Sequence, residues 1–209
     1  MKFSKFEEWE PYYQQILGDF GFDRAADEEA ARVLDRLLPA DSLSLLEAAI
    51  RGKAVTVCGN APSLDRDLDR LTGVVLAADR AADRLFRQGI RPAAIATDLD
   101  GATEEFVEMN RRGTVVVIHA HGDNIPLLRR WVPHFPGPLV GTTQARPVGR
   151  IHNFGGFSDG DRAVYLAHAL GAFPVTLAGF DLDDPHVGPV KRRKLRWARR
   201  LLALIGHDL

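Results

Sequence analysis

One cysteine in 209 residues, Cys58, rules out an internal disulfide and points to a reducing compartment. Long hydrophobic runs are missing as well. The most apolar stretches, VVLAA (74–78) and VVVI (115–118), are strand-sized, against the roughly 20 apolar residues that a bilayer-spanning helix needs. The opening MKFSKFEEWEPYY has neither an apolar stretch nor a small-residue cleavage site, so a cytoplasmic location is expected. Neither sign of charge is in excess: the net charge of −1 favours neither nucleic acid nor a membrane as partner. No internal repeat or low-complexity tract is present, and neither GxGxxG nor a Walker A loop occurs.

What is there belongs to a globular enzyme-sized chain, 45% hydrophobic and 26% charged, long enough to bury a core without staples. Charge is unevenly spread. Residues 1–50 hold 5 Lys/Arg against 11 Asp/Glu, and residues 191–209 hold 7 against 1. The basic C-terminal helix is therefore expected to be a solvated face or to pair with the acidic N-terminal region, with phosphate attraction as the functional alternative. Residues 5–50 read as helices. Ala30, Val33, Leu34, Leu37 and Leu38 recur at helical steps up to Pro39, and Asp41 or Ser42 is placed to cap a helix running to Ile50. This predicts a helical N-terminal appendage over 1–50 and an α/β domain over 51–209.

From Lys53 onward, short apolar runs alternate with helical ones. Strands are expected at 54–58, 74–77, 93–96, 114–118, 139–140 and 175–178, with helices near 64–71, 80–88, 102–112, 124–132 and 160–170. Continuously apolar strands alternating with helices predict a mostly parallel, Rossmann-like sheet covered on both faces. The Pro- and Gly-rich stretch 133–158 is the one long irregular segment.

Ligands of such sheets bind beyond the carboxyl ends of the strands. The residues found there are GNAPSL (59–64), Asp79, TDLDG (97–101), HAHGDN (119–124), GTTQ (141–144) and GFDLDD (179–184). In GNAPSL, backbone N–H groups around Gly59 and Asn60, with Ser63 at a helix start, form a candidate anion site, or else a plain turn with a cap. In TDLDG, Asp98 and Asp100 stand two apart and, in extended chain, point the same way. Two adjacent carboxylates repel, and a hard divalent cation relieves that repulsion. His119, His121, Asp123 and Asn124 fit either a zinc hydrolase fragment, or a third carboxylate with phosphate-binding histidines, or a helix cap beside a core histidine. NFGGFSDGDRA (153–163) leads through two glycines into a helix capped by Ser158 or Asp159, with Asp161 and Arg162 in its first turn. Cys58, at a strand end with no base beside it, reads as a small buried apolar residue.

Taken in order, GNAPSL, AADRAADRLFRQGIRPAAIATDLDG (77–101), VVVIHAHGDN (115–124), TTQ (142–144), NFGGFSDGDRA and LAGFD (177–181) resemble the archaeal-type 6-hydroxymethyl-7,8-dihydropterin pyrophosphokinases, which are related in fold to thiamin pyrophosphokinases. The resemblance covers roughly residues 45–205. It implies a Mg²⁺-dependent transfer of pyrophosphate from ATP to the hydroxymethyl group of a reduced pterin, for folate or methanopterin synthesis, in a protein that forms a homodimer. It also implies that Asp98, Asp100 and Asp123 hold Mg²⁺, with Gly59, Asn60, Ser63, His119 and His121 on the ATP phosphates. Asp79, Asn124, Gln144, Asn153 and Asp159 are left as substrate candidates, and Lys191 or Lys194 as residues that close over the polyphosphate. GNAPS departs from the resemblance in lacking a second glycine, a small departure because Asn tolerates positive φ. The competing readings are a nucleotide-sugar-dependent glycosyltransferase-like domain, a nucleotide-binding module without turnover, and the zinc hydrolase.

Overall fold

A computed structural model describes residues 3–209. Three helices come first: α1 (Phe6–Phe20), α2 (Arg24–Leu37) and α3 (Leu43–Ile50). Then follow β1 (Val55–Cys58), α4 (Leu64–Asp67), β2 (Val74–Ala78), α5 (Ala81–Arg87), β3 (Ala94–Thr97), α6 (Glu104–Arg111), β4 (Val115–Ala120), α7 (Ile125–Trp131), β5 (Leu139–Thr143), β6 (Ile151–His152), α8 (Asp159–Ala169), β7 (Val175–Ala178) and α9 (Pro189–Ala203). Among the described residues the sheet has seven strands, all parallel, in the order β6-β5-β4-β3-β2-β1-β7. This is the expected α/β architecture with a Rossmann-like sheet.

Handedness explains the layers. From β1 to β5 every step goes the same way across the sheet, so right-handed crossovers put their helices on one face. The return from β6 to β7 runs the other way and puts α8 on the opposite face. Side chains alternate accordingly. Ile95, Val116 and Ile118 meet Leu85, Phe106, Met109 and Leu128 in one core. Val55, Val57, Val115 and Val117 meet Val164, Leu166 and Ala167 in the other. Residues buried on both sides of a strand explain why these strands read as unbroken apolar runs.

The N-terminal helices take part in these layers. Leu34 of α2 lies in the first core, and Leu46 and Ile50 of α3 lie in the second. Trp9, Tyr13 and Ile16 of α1 form a third cluster with Phe157, Tyr165, Trp197 and Leu201. The expected cap of α3 is supplied by Asp41, whose carboxylate accepts from the Leu43 N–H at 3.1 Å.

The basic helix α9 docks on α1. Trp197 Nε1 donates to Asp19 at 2.8 Å, Arg200 donates to Gln15 at 2.9 Å, and Arg193 lies 4.7 Å from the Phe20 ring centre. Cys58 is buried, and burial pushes its thiol up to about 12, as suits an inert core residue. Among the described residues no helix is long and apolar enough to cross a membrane.

Candidate active site

The carboxyl edge of β2 and β3 gathers three aspartates. Asp79 follows β2 with a positive φ of 47°, and its Oδ1 accepts from Thr97 Oγ1 at 2.8 Å. Asp98 and Asp100 follow β3, but not in the extended chain expected of them. β3 stops at Thr97 and Leu99 takes a left-handed φ of 73°. The turn is closed by the Leu99 N–H on Thr97 Oγ1 and by the Asp100 N–H on Asp98 Oδ1 at 3.2 Å. A turn, rather than strand alternation, brings the two carboxylates together.

Their ionisation reflects that crowding. Burial, then the charges of Asp98 and Asp79, push Asp100 up to about 6. Burial acts on Asp98 in the same sense, but the His121 ring, the Arg162 guanidinium and the Asp100 N–H outweigh it and hold Asp98 well below the usual carboxylate range. Lys194 of α9 lies close enough to draw Asp100 down slightly. Burial also raises Asp79.

Gly101 completes this corner. A Cβ there would lie 2.0 Å from Asp79 Oδ2. Gly101→Ala is therefore expected to displace the Asp79 carboxylate, costing about 1–3 kcal/mol of stability and activity with it. Thermal unfolding and a turnover assay of the purified variant would check this; wild-type values in both would show that the corner tolerates a methyl group.

β4 delivers His119, His121 and Asn124. Asn124 is a clamp. Its Nδ2 donates to the carbonyls of Asp98 (2.8 Å) and His119 (2.7 Å), and its Oδ1 accepts from the His121 N–H. With both amide hydrogens taken, it ties the β3 end to the β4 end. His121 Nε2 lies 3.4 Å from Asp98 Oδ2, and its Nδ1 accepts from the Asp123 N–H.

Asp123 itself is exposed, on a short 3₁₀ turn, and the carboxylates acting most on Asp100 are Asp98 and Asp79. The buried member of the Asp123–Asn124 pair is Asn124, and the carboxylate whose charge reaches Asp100 beside that of Asp98 is Asp79. Among the described residues no three His, Cys, Asp or Glu side chains converge tightly enough to enclose a metal. A zinc site needs three or four such ligands. Mg²⁺ needs fewer, since it keeps waters and is bound through one or two carboxylates plus phosphate oxygens. The repelling pair Asp98–Asp100 fits that requirement.

The glycine-rich segment brings α8 to the same edge. Ser158 is its N-cap, and the buried Asp161 carboxylate accepts from the N–H groups of Phe157 (2.6 Å) and Ser158 (2.8 Å). Asp159, at the first position of the helix, accepts from Arg162 Nη1 at 3.2 Å. Asn153 holds the segment down: its Nδ2 donates to the carbonyls of Gln144 and Ala145, and its Oδ1 accepts from Gly155.

GNAPSL lies where β1 and β7 sit side by side and their following loops leave for opposite faces. Gly59 is packed so closely that a Cβ would come 2.6 Å from the Gly179 carbonyl. Arg84 donates to the carbonyls of Asn60 and Ala61, and the buried Ser63 Oγ has no partner. α4 is a single turn continuing as a 3₁₀ turn, shorter than the helix expected over 64–71. Any anion here would depend on individual N–H and O–H groups rather than on a helix dipole.

Behind the edge sits a residue that sequence reasoning passed over. Asp27 of α2, 2% exposed, accepts from Tyr13 Oη, Gln144 Nε2 and the Gly122 N–H, each at 2.8 Å. It joins α1, the end of β5 and the HAHGDN turn. Gln144 is thus committed to this network, with its Oε1 buried and unpartnered. Nothing in the run ADEEAA distinguishes Asp27 from its exposed neighbours except helical phase with Ala30, Ala31 and Leu34.

A Rossmann-like parallel sheet with clustered aspartates at its carboxyl edge, faced by Arg162 and Lys194, defines an α/β protein suited to polyphosphate chemistry. The chain belongs to the 6-hydroxymethylpterin diphosphokinase MptE-like family, whose model matches residues 31–186. Three curated relatives are each named 6-hydroxymethyl-7,8-dihydropterin pyrophosphokinase. The protein of Methanothermobacter thermautotrophicus is 44% identical, over 93% of this chain and 92% of its own. That of Pyrococcus furiosus is 38% identical, over 98% and 95%. That of Methanocaldococcus jannaschii is 33% identical, over 94% and 93%.

Proposed function

We propose that the protein is a 6-hydroxymethyl-7,8-dihydropterin pyrophosphokinase that uses ATP and Mg²⁺. The family and the near full-length likeness to three proteins of that name support the activity. The observation that carries the chemistry is the Asp98–Asp100 pair, crowded by Asp79 and faced by Arg162 and Lys194. In the reaction the substrate's hydroxymethyl oxygen bonds to the β-phosphorus of ATP. The bond from that phosphorus to the α,β-bridging oxygen breaks, AMP leaves with the oxygen, and the hydroxyl proton is released.

Such a transfer depends on positioning and charge neutralisation more than on covalent help from the protein. Mg²⁺ bound by Asp98 and Asp100 would neutralise charge on the phosphates. Asp79, bonded to Thr97, adds a further negative charge beside Asp100 for a cation to neutralise. His121 and Asn124 fix Asp98 by its carboxylate and its carbonyl. The Gly59 N–H is spent on the Ala178 carbonyl and the Ala61 N–H on the Gly179 carbonyl, so at this turn the Asn60 N–H and the free Ser63 hydroxyl would receive phosphate oxygens, and Lys194 approaches the same edge from α9.

The test mixes protein, ATP, Mg²⁺ and the reduced hydroxymethylpterin and separates the nucleotides by chromatography. AMP that forms only with the pterin, and not in EDTA, is the expected outcome. ADP would mean γ-phosphoryl transfer, and an unchanged ATP peak would move the function to sugar transfer or binding alone.

A further inference from the structure

Next to the carboxylates lies a narrow cavity whose walls include Thr97, His119, Thr142, Phe154, Asp159 and Arg162. Two of these residues carry a buried polar atom with no partner, Nε2 of His119 and Nε of Arg162. An unpaired buried polar atom costs about 1–3 kcal/mol, so two of them on one cavity call for a ligand.

The hydrogen bonds fix what each atom offers. Thr142 Oγ1 donates its only hydrogen to the Ile118 carbonyl at 3.1 Å. It must therefore accept from His119 Nδ1, also at 3.1 Å. Nδ1 carries the proton and Nε2 presents a lone pair. Burial, then the charge of Arg162, keep this ring neutral.

Arg162 donates to Asp159 through Nη1, which leaves its Nε–H as a free donor. Burial, then the charge of Asp98, raise Asp159 well above the usual carboxylate range, with Arg162 opposing them; Arg162 occupies only its Oδ1, so the group retains acceptor capacity at its other oxygen. The cavity thus offers two acceptors and one donor beside an aromatic wall, Phe154. A phosphate brings only acceptor oxygens and would meet acceptors. A flat ring with N–H groups on one edge next to a carbonyl oxygen is complementary.

We propose that this cavity holds the fused ring of the pterin, with Asp159 accepting from its N3–H and 2-amino group, Arg162 Nε–H donating to the adjacent carbonyl oxygen, and His119 Nε2 accepting a further N–H. The assignment rests on the reading that the acceptor substrate is a pterin, and it moves His119 from the phosphates to the ring. Thr97, on the cavity wall, immediately precedes Asp98, so a hydroxymethyl group leaving the cavity meets the carboxylates. The side chains leave a free volume of only about 20 Å³ in the cavity, so ring entry requires its lining, Phe154 included, to shift outward.

The test is a fluorescence titration with 6-hydroxymethylpterin in the presence of Mg²⁺ and α,β-methylene ATP. Its lumazine counterpart, in which an oxygen replaces the 2-amino group, is titrated alongside. Wild type is expected to prefer the pterin strongly, because lumazine keeps N3–H but sets a carbonyl oxygen, in place of the amino N–H, against the Asp159 carboxyl. Asp159→Asn should weaken pterin binding about 30-fold or more and erase the preference over lumazine, with the affinity for the ATP analogue unchanged. His119→Leu should weaken it about tenfold, while His119→Gln, which keeps an acceptor, restores most of it.

Folded Asp159→Asn and His119→Leu proteins that bind pterin as wild type does would overturn the assignment. The transfer reading fails separately. A wild type that forms no AMP, but whose pterin binding is lost in Asp159→Asn, keeps the ring site and discards the pyrophosphokinase. AMP formation with pterin binding indifferent to both variants does the reverse.

Discussion

Asp100→Asn is expected to lower AMP formation about 100- to 1,000-fold at saturating substrates, the scale for losing one electrostatic partner of a transition state. Its unfolding temperature should be no lower than that of wild type. The two effects have one cause. In the folded protein Asp100 is crowded by burial and by the charges of Asp98 and Asp79. Removing its charge relieves that repulsion and, on the proposed role, also takes an anionic oxygen away from Mg²⁺. Structural damage would lower activity and stability together, whereas a ligand role separates them. The check is AMP formation across a Mg²⁺ series together with thermal unfolding of the same preparation. Turnover at the wild-type rate would take Asp100 out of the metal site.

Asp27→Ala is expected to have the largest effect on stability. Three donors meet the carboxylate at 2.8 Å, two of them from the buried side chains of Tyr13 and Gln144. Hydrogen bonds to a charged group are worth about 1.5–3 kcal/mol each, and buried donors left unpaired add a penalty. Allowing for non-additivity, a loss of about 3–5 kcal/mol follows, or roughly 10 °C in unfolding temperature for a chain of this size. Asp27→Asn should lose less. If the Gln144 amide turns over, its unpartnered Oε1 meets the new amide group. Differential scanning calorimetry of the three proteins gives the ranking. Equal stabilities for the alanine and asparagine variants would mean that the Gln144 contact carries little.

Much of the sheet was legible in the sequence, because β1 to β4 and β7 are short, continuously apolar runs between helical ones. β6 was not legible: two residues, Ile151 and His152, carry no periodicity, and they lie in a Pro- and Gly-rich stretch. The 64–71 helix was overdrawn for a related reason, since four helical residues and a 3₁₀ turn leave the same trace as two α-helical turns.

At the site, the sequence placed Asp79, Asp98, Asp100, His119, His121 and Asp159 at strand ends or a helix start, where the structure has them. It could not say how they face. Leucine is a poor signal for left-handed backbone, so the turn at Leu99 left no mark. Asp123 and Asn124 are neighbours, and only packing decides which one points inward. Asp27 went unseen because its site partners Gly122 and Gln144 lie 95 and 117 residues away.

The order β6-β5-β4-β3-β2-β1-β7 also bears on how the chain is made. Thr56 of β1 pairs with Thr176 of β7, 120 residues later. On the ribosome, strands one to six can assemble neighbour by neighbour while one flank of β1 keeps its backbone amides and carbonyls bare. A bare strand flank is a template for another chain. The nascent protein carries that hazard until its last strand emerges, and the same strand sets Gly179 against the Gly59 turn.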